Sequence, residues 1–419
     1  MIKKSFLGLK KPELKYNVET LPFEDVPIPQ EATVFLKTNG KLGEKLFKVG
    51  DEIKTGQKLK GSTDSSDYVI APVTGKITSI FSYSDALGKS YDGIKIESSG
   101  SDDWDDQFKG EATLETAIEF LEFAPGKCSF RKFSDAPVKI DTIIINGMDV
   151  DLEVTVNQGM VKEDSLKLKE GIDFLKKITG VSNFILVVPE TLSVEATNTG
   201  ATVKTIPATF PNALPTMMIK NILDKVVPAG KKPEDIGVAV ISAENAVAVG
   251  EAFAMGKVPV TKALSVVGKD GSFTNVKARI GTPIGNILAK CNITLEENDR
   301  ILLGGPMLGT TTYSKDLPIE PDTDAITVQS EADSAQISTY PCISCGECVR
   351  ICPVKIQVNL LGRFAEFAMY EDAEENDLHS CIECGLCSYV CTARRPLLQY
   401  IKIAKHELEL IKLSEAINE

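Results

Sequence analysis

The sequence is poor in histidine and in long apolar runs. Only His379 and His406 occur among 419 residues, so neither a histidine-rich metal site nor a Ser–His–Asp triad is supported. No run approaches the ~18 apolar residues of a membrane-spanning helix, and the first residues lack an apolar core of signal-peptide length. We therefore expect no transmembrane helix, no signal peptide and, at most, peripheral attachment to a membrane.

Basic clusters and phosphate-binding loops are also missing. The formal net charge is −13, and no group of Lys and Arg is dense enough to follow a nucleic-acid backbone, so no nucleic-acid partner is expected. The chain has no G-x-x-x-x-G-K-[ST] loop and no G-x-G-x-x-G after the predicted strands at 142–145, 183–188 and 236–241. Residues 304–309 are rich in glycine but lead into no predicted helix, which favours a tight turn.

Cysteine, by contrast, is concentrated in one part of the chain. Eight of the ten cysteines lie in two runs with the same C-x2-C-x2-C-x3-C spacing. The first run contains Cys342, Cys345, Cys348 and Cys352, and the second contains Cys381, Cys384, Cys387 and Cys391. This is the bacterial-ferredoxin pattern for two [4Fe–4S] clusters. Zinc sites or disulfides are the alternatives, but two copies of one spacing favour iron–sulfur clusters.

The ferredoxin pattern also predicts which cysteines act together, because the fourth cysteine of each run binds the other cluster. One predicted ligand set is Cys342, Cys345, Cys348 and Cys391. The other is Cys381, Cys384, Cys387 and Cys352. Thr392 follows the last cysteine where such motifs have Pro, and we expect altered loop rigidity there rather than loss of a cluster. Exposed cluster ligands indicate reducing surroundings, and the lone Cys128 and Cys291 are expected to be small buried residues.

The first hundred residues combine an irregular lead-in with a β domain. Residues 1–30 are polar and contain four prolines. Residues 31–100 alternate short apolar runs with turn residues, and the segments 49–59 and 71–77 resemble the barrel-sandwich fold of lipoyl and biotinyl carrier domains. Those carriers modify a lysine at a hairpin tip, whereas residues 61–67 contain none. A structural or docking module is therefore expected instead of a swinging arm.

The rest of the chain predicts three further domains. Residues 101–255 alternate helices, at 111–123, 164–178, 217–226 and 243–255, with the strands given above, which predicts a mostly parallel, doubly wound α/β sheet. Residues 256–330 return to β character and predict a small β-grasp module, and the polar residues 310–340 are expected to form a linker. Residues 331–419 hold the cysteine runs, a helix at 357–377 and an amphipathic helix at 396–417 whose apolar face is expected in a core.

This order of modules resembles the RnfC family, the C subunits of the Rnf ion-translocating electron-transport complex. The resemblance covers nearly the full chain and rests on the cysteine run, residues 396–405 after it, and the segments 281–285 and 304–309. It implies a barrel-sandwich domain, an α/β domain related to NADH/FMN-binding domains, an SLBB-like β-grasp module and a ferredoxin-type domain with two clusters. It also implies a peripheral subunit at the cytoplasmic face of the inner (plasma) membrane that usually carries FMN and an NADH site.

The chain departs from this family at three stretches that would contact flavin and dinucleotide. The family's G-G-A-G-F-P-T loop corresponds to residues 123–134, its E-C-E-P run to 148–152 and its Y-P-x-G-x-E run to 210–215. Glycines that let backbone N–H groups approach phosphates are replaced by residues such as Phe130 and Phe133, and Asp149 and Asp151 add negative charge. FMN and NADH are therefore doubtful as cofactors of this chain.

These observations predict an RnfC-like iron–sulfur electron-transfer subunit of a membrane-associated complex that moves Na⁺ or H⁺. Electrons would pass through two [4Fe–4S] clusters and enter from a partner protein, without NADH oxidation by this chain, and no catalytic side chain is predicted. The expected partners are integral membrane and iron–sulfur subunits in a hetero-oligomer, and a ferredoxin or cytochrome-like carrier. The alternative is a soluble NADH-dependent flavin and iron–sulfur reductase related to cobalamin reductases, which have these modules in the reverse order.

Overall fold

The chain forms two compact units. The computed structural model describes residues 5, 7–37, 45–62, 66–85, 88–312, 314–334 and 336–418, with side chains through residue 415. Residues 63–65 of the predicted hairpin tip, and 1–4 and 6 of the lead-in, lie outside the described residues. The helical unit comprises Met1–Lys15, Thr209–Lys232 and Ala332–Glu419, and the sheet unit comprises Tyr16–Ala208 and Pro233–Glu331.

The strands of the described residues all belong to the sheet unit. They are β1 (Phe23–Asp25), β2 (Glu31–Lys37), β3 (Glu52–Ile53), β4 (Lys58–Lys60), β5 (Tyr68–Ile70), β6 (Gly75–Ser84), β7 (Ser90–Ser98), β8 (Thr142–Asn146), β9 (Asn183–Val188), β10 (Thr202–Thr205), β11 (Val238–Ser242), β12 (Thr261–Val267), β13 (Phe273–Arg279), β14 (Arg300–Leu303), β15 (Thr310–Thr312) and β16 (Ala325–Gln329).

Helices occur in both units. They are α1 (Leu114–Phe120), α2 (Lys132–Asp135), α3 (Val156–Glu163), α4 (Ser165–Thr179), α5 (Pro215–Leu223), α6 (Ala243–Met255), α7 (Ile284–Lys290), α8 (Glu347–Ile351), α9 (Val358–Glu366), α10 (Tyr370–Glu375), α11 (Leu386–Tyr389) and α12 (Leu397–Asn418). Of these, α5 and α8–α12 lie in the helical unit. Among the helices so described, none is long and apolar enough to cross a bilayer.

The predicted β domain at 31–100 is a small sandwich. One sheet has the order β2-β7-β6-β3, and β4 pairs antiparallel with β5 on either side of the predicted hairpin tip. Side chains on β2 alternate in burial, with Ala32, Val34 and Leu36 facing inward, because successive residues of a strand point to opposite faces. They pack with apolar residues of β6 and β7, such as Ile77 and Ile94, into one core.

The predicted α/β domain contains a four-stranded parallel sheet in the order β10-β9-β8-β11. All five residues of β8 are buried, as expected for a strand of a covered parallel sheet. Strand β10 was not predicted, because its sequence T-V-K-T is short and mostly polar. The domain is also less continuous than predicted, since residues 209–232, including α5, belong to the helical unit.

The β region at 256–330 forms a mixed sheet in the order β1-β13-β12-β16-β14-β15. A hairpin (β12 and β13) is followed by α7, and β16 then lies parallel to β12. The predicted linker at 310–340 is wrong, because β16 lies inside this sheet and four of its five residues are buried. The lead-in likewise is not wholly irregular, because β1 pairs with β13 at the edge of the sheet.

The helical unit has its own small core. Leu361 of α9, Leu378 and Ala373 pack with the apolar face of α12, whose buried residues are Leu397, Leu398, Ile401, Ala404 and Leu408. The prediction that this face packs in a core is therefore confirmed through Leu408. The helix predicted at 357–377 is two helices, α9 and α10, because the chain turns at Ala368, which has a φ of 55°.

Candidate metal centre

The two cysteine runs fold into loops with the same backbone. Three residue pairs at matching positions take the left-handed conformation that side chains rarely adopt: Ser344 and Glu383, Gly346 and Gly385, and Lys355 and Arg394. Each loop leads into a short helix, α8 in the first run and α11 in the second. The chain has therefore duplicated one loop conformation, and each copy presents its first three cysteines in the same way.

Cysteines of the first predicted ligand set influence one another electrostatically. Burial raises the pKa of the Cys348 thiol to about 12, and the negative charge of three neighbouring thiols adds to this effect. Those neighbours are Cys391, Cys342 and Cys345. Cys391 comes from the second run, and its assignment as the fourth ligand of this set stays a prediction.

Cysteines of the second predicted set also influence one another. Burial raises the pKa of the Cys384 thiol to about 11, and charge on Cys381 and on Cys352 of the first run contributes. Burial also raises the pKa of Cys387, and that thiol responds to charge on Cys381, Cys384 and Cys348. Because Cys348 belongs to the first set, the two sets adjoin one another.

Backbone N–H groups point at several of these sulfurs. The N–H of Ser344 donates to Cys342 Sγ at 3.4 Å, and the N–H of Glu383 donates to Cys381 Sγ at 3.4 Å. The N–H of Arg395 donates to Cys391 Sγ at 3.3 Å. Such bonds stabilise negative charge on sulfur, which iron–sulfur clusters require of their ligands.

The donor set fits two four-iron clusters. Within the described residues, no three His, Cys, Asp or Glu side chains converge as they would around one metal ion. In a [4Fe–4S] cluster each of the four cysteines binds a different iron, so their sulfurs surround the cluster and need not meet at a single point. Eight thiols in two crossed sets, with N–H donors aimed at the sulfurs, therefore could hold two such clusters.

The remaining cysteines and His379 lie outside these sets. Cys128 is buried in the core of the parallel sheet, as predicted, whereas Cys291 is only half-buried beside the mixed sheet. His379 Nε2 lies 3.0 Å from the Glu374 carboxylate.

At the carboxyl edge of the parallel sheet, where α/β proteins bind nucleotides, a buried carboxylate occupies a helix N-terminus. Asp149 follows β8 and accepts hydrogen bonds from the N–H groups of Asn157 at 2.8 Å and Gln158 at 3.4 Å, at the start of α3. Burial raises its pKa to about 6, although the N–H of Asn157 acts in the opposite direction. Free N–H groups at a helix start bind anions such as phosphate. Here an internal carboxylate already occupies them.

The glycine-rich turn at 304–309 is engaged in a similar way. Asp151 accepts hydrogen bonds from the N–H groups of Met307 at 3.1 Å and Leu308 at 2.7 Å. A Cβ atom on Gly305 would lie 2.5 Å from Cγ of Asp151, so glycine is required where this carboxylate packs. The adjoining cavity of about 420 Å³ is lined by further acids, including Glu320 and Asp322. Negative charge at these walls disfavours a phosphate.

Residues 123–134 contact the start of α6. The Asn245 side chain donates to the carbonyl of Pro125 at 3.0 Å, and Ser242 Oγ accepts the N–H of Asn245 at 3.1 Å as the helix cap. Phe130 is fully buried in the core. The third altered stretch, 210–215, lies in the helical unit and leads into α5.

Sequence reasoning missed a buried lysine near this edge. Lys262 of β12 is fully buried, and its Nζ lies 2.5 Å from Glu244 Oε2 and 2.9 Å from Asp324 Oδ1. Burial lowers its pKa, but the two carboxylates outweigh burial and raise it. The ion pair of Lys262 with Glu244 therefore links the mixed sheet to α6. A lysine within a strand gives no sequence signal of this, because its partners lie far away along the chain.

Family models match three parts of the chain. The RnfC barrel sandwich hybrid domain matches residues 4–101, the Nuo51 FMN-binding domain matches 126–251, and the 4Fe-4S dicluster domain matches 330–392. The last match supports iron–sulfur clusters. Because the Nuo51 FMN-binding domain matches, the doubt about FMN is not confirmed, and the absence of FMN stays a prediction.

Curated relatives align with nearly the whole chain. The C subunit of the ion-translocating oxidoreductase complex of Klebsiella pneumoniae is 28% identical over 97% of this chain, which spans 57% of that protein's length. The C subunit of the proton-translocating ferredoxin:NAD(+) oxidoreductase complex of Clostridium ljungdahlii is 29% identical, covering 96% of this chain and 94% of that protein. The Na(+)-translocating counterpart from Acetobacterium woodii is 28% identical, covering 87% of each. The chain therefore contains an RnfC barrel sandwich hybrid domain and is similar, over nearly its whole length, to C subunits of ion-translocating oxidoreductase complexes.

Proposed function

We propose that this chain is an iron–sulfur electron-transfer subunit of a membrane-associated, ion-translocating oxidoreductase complex. Its relatives are named as C subunits of such complexes, with Na⁺ or H⁺ as the ion moved. Its own contribution would be to relay electrons through two [4Fe–4S] clusters.

One observation carries this proposal. Residues 330–392 match the 4Fe-4S dicluster domain, and they contain eight cysteines in two runs of one spacing. We propose that these cysteines form two crossed and adjoining ligand sets. Adjoining sets would place two clusters side by side, which is what a relay needs. When bound, the clusters supply one-electron chemistry. The chain's own thiols and N–H groups hold them and set the charge around them.

The sheet unit supports entry of electrons from a partner protein. Asp149 occupies the N–H groups at the start of α3, and Asp151 occupies those of the glycine-rich turn. A dinucleotide would have to displace both carboxylates before its phosphates could approach the backbone. We therefore propose that this chain does not oxidise NADH and that FMN is doubtful. The order of strands around α7 supports the proposal that the mixed sheet is an SLBB-like β-grasp module.

The proposed location is the cytoplasmic face of the inner (plasma) membrane, with peripheral attachment through partner subunits. Integral membrane and iron–sulfur subunits of the complex would hold the chain in a hetero-oligomer. The relatives are named as C subunits of complexes, which supports the hetero-oligomer. A ferredoxin or cytochrome-like carrier would exchange electrons with it.

An anaerobic reduction experiment tests the proposed route of electrons. The full chain, reconstituted with iron and sulfide, is first treated with micromolar NADH and then with dithionite, while cluster absorbance is followed. We expect NADH to leave the absorbance unchanged and dithionite to bleach it, because dithionite needs no nucleotide site. Bleaching by NADH alone, or stoichiometric NADH binding, would show that the chain has a working NADH site.

The soluble flavin and iron–sulfur reductase is a second candidate, because the Nuo51 FMN-binding domain model matches residues 126–251. Flavin released from the purified, heat-denatured chain distinguishes the two functions. About one FMN per chain, together with bleaching by NADH, would favour the reductase.

A further inference from the structure

A hydroxyl group lies beside one sulfur of the first ligand set. Thr392 Oγ1 is 3.5 Å from Cys345 Sγ, within the range of a hydrogen bond to sulfur. The two residues are 47 positions apart, and Thr392 immediately follows Cys391, the ligand that crosses over from the second run. When Cys345 binds iron as a thiolate, its sulfur has no proton to give, so Thr392 must be the donor.

The duplicated loops provide an internal comparison. Cys384 occupies the position in the second set that Cys345 occupies in the first, and the residue after its crossing ligand, Cys352, is Pro353. Proline has neither an N–H nor a hydroxyl, so it cannot donate a hydrogen bond to sulfur. The position that follows the crossing ligand thus carries a hydroxyl donor in the first set and no donor in the second.

We propose that Thr392 holds the cluster at Cys342, Cys345, Cys348 and Cys391 at a higher reduction potential than the cluster at the second set. This inference rests on the proposed function, because it needs both clusters. Thr392 acts as a positioning residue that supplies a donor to a ligand; it does not bind iron. One electron would then pass from the cluster at the second set, which is oxidised, to the cluster at the first set, which is reduced, with no proton transferred. This difference in reduction potential would give the relay a direction.

The physical reason is the charge of the reduced state. Reduction adds one negative charge, which is shared with the ligand sulfurs, and a hydrogen bond to sulfur stabilises that charge. Burial differs little between the sets: Cys348 is the one buried cysteine of the first, and Cys384 and Cys387 are the two buried cysteines of the second. The Thr392 hydroxyl is therefore the effect that favours reduction at the first set.

Potentiometric EPR titration of the full, cluster-loaded chain tests the inference. We expect Thr392→Val, which keeps the shape but removes the hydroxyl, to lower only the higher of the two midpoint potentials. The expected change in that reduction equilibrium is about threefold to tenfold, which is at most ~59 mV for one electron. Loss of the higher-potential signal in Cys391→Ser assigns it to the first set.

Two variants serve as controls. Thr392→Ser retains the hydroxyl and should keep the wild-type potential, and Pro353→Ala should leave the higher potential unchanged. If Thr392→Val binds no cluster, Thr392→Ala replaces it with the same expected shift.

Three results would overturn the inference. The first is unchanged potentials in Thr392→Val. The second is the same drop in Thr392→Ser, which would indicate packing rather than a hydrogen bond. The third is a shift confined to the lower potential. If the wild-type chain binds no iron and sulfide on reconstitution, that result would overturn the proposed function and this inference together. Iron analysis separates that failure from the other three.

Discussion

At the scale of single residues, carboxylates decide what the edge of the parallel sheet can bind. Asp149 and Asp151 each accept backbone N–H groups that a phosphate would otherwise need. Asp149 does so while fully buried, which raises its pKa from 3.8 to about 6. Burial makes the charged form costly, and the hydrogen bonds recover only part of that cost.

This raised pKa makes the stability of the sheet unit depend on pH. The folded state holds the Asp149 proton more tightly than the unfolded state, so the favourable contribution is complete below pH 3.8 and is lost as pH rises through about 6. At neutral pH the charged form costs about 3 kcal/mol relative to an ordinary aspartate. Most of the change falls in the pH window between these two values.

We expect Asp149→Asn to remove this pH dependence. Relative to wild type, the variant should gain about 1 kcal/mol in unfolding free energy between pH 5 and pH 7.5, because only wild type becomes charged there. Urea unfolding of both proteins at the two pH values measures this, with the exposed Glu297→Gln as control. A difference between variant and wild type that stays constant with pH would contradict the account of Asp149.

At the scale of elements, two helices of the sheet unit meet through glycines. A Cβ atom on Gly171 of α4 would lie 1.8 Å from the carbonyl oxygen of Ala246 on α6, and one on Gly250 would lie 2.8 Å from the backbone N of Gly171. The helices therefore approach closely enough for their backbones to touch. This packing fixes α6, whose first residues carry the Ser242 cap and Glu244.

We expect Gly171→Ala to destabilise the sheet unit by about 2 kcal/mol. Overpacking a tight contact costs typically 1–3 kcal/mol, and the better helix propensity of alanine recovers up to about 1 kcal/mol. Gly285→Ala in α7 is the matched control, because its new Cβ would meet Lys315 only at 3.4 Å. Thermal unfolding compares the two. Equal melting temperatures for both variants would show that α4 and α6 are not packed this closely.

At the scale of the whole molecule, what could be predicted depends on how local the signal is. The strand at 183–188 and the helix at 243–255 have the predicted bounds, because apolar periodicity is a property of consecutive residues. The ligand sets are predicted from cysteine spacing, which is also a local signal. Strand β16 was taken for part of a linker because the strand it joins, β12, is remote in sequence, and pairing between distant strands leaves no local pattern.

The same limit applies to the candidate site. The sequence indicated that Asp149 and Asp151 were unfavourable for a phosphate, but not that they bind the chain's own N–H groups. The sequence showed Thr392 only as a threonine in a position where such motifs have proline. Its contact with Cys345 could not be predicted, because it depends on two loops that are remote in sequence. Contacts of this kind become visible only in three dimensions.

The central claim is that two [4Fe–4S] clusters are held by crossed ligand sets, and iron and sulfide analysis with EPR of single-ligand variants tests it most directly. Wild-type chain should contain about eight irons and eight sulfides. Cys352→Ser should disturb the same EPR signal as Cys387→Ser, and Cys391→Ser the same signal as Cys348→Ser. A single cluster per chain, or Cys352→Ser disturbing the signal that Cys348→Ser disturbs, would contradict the account.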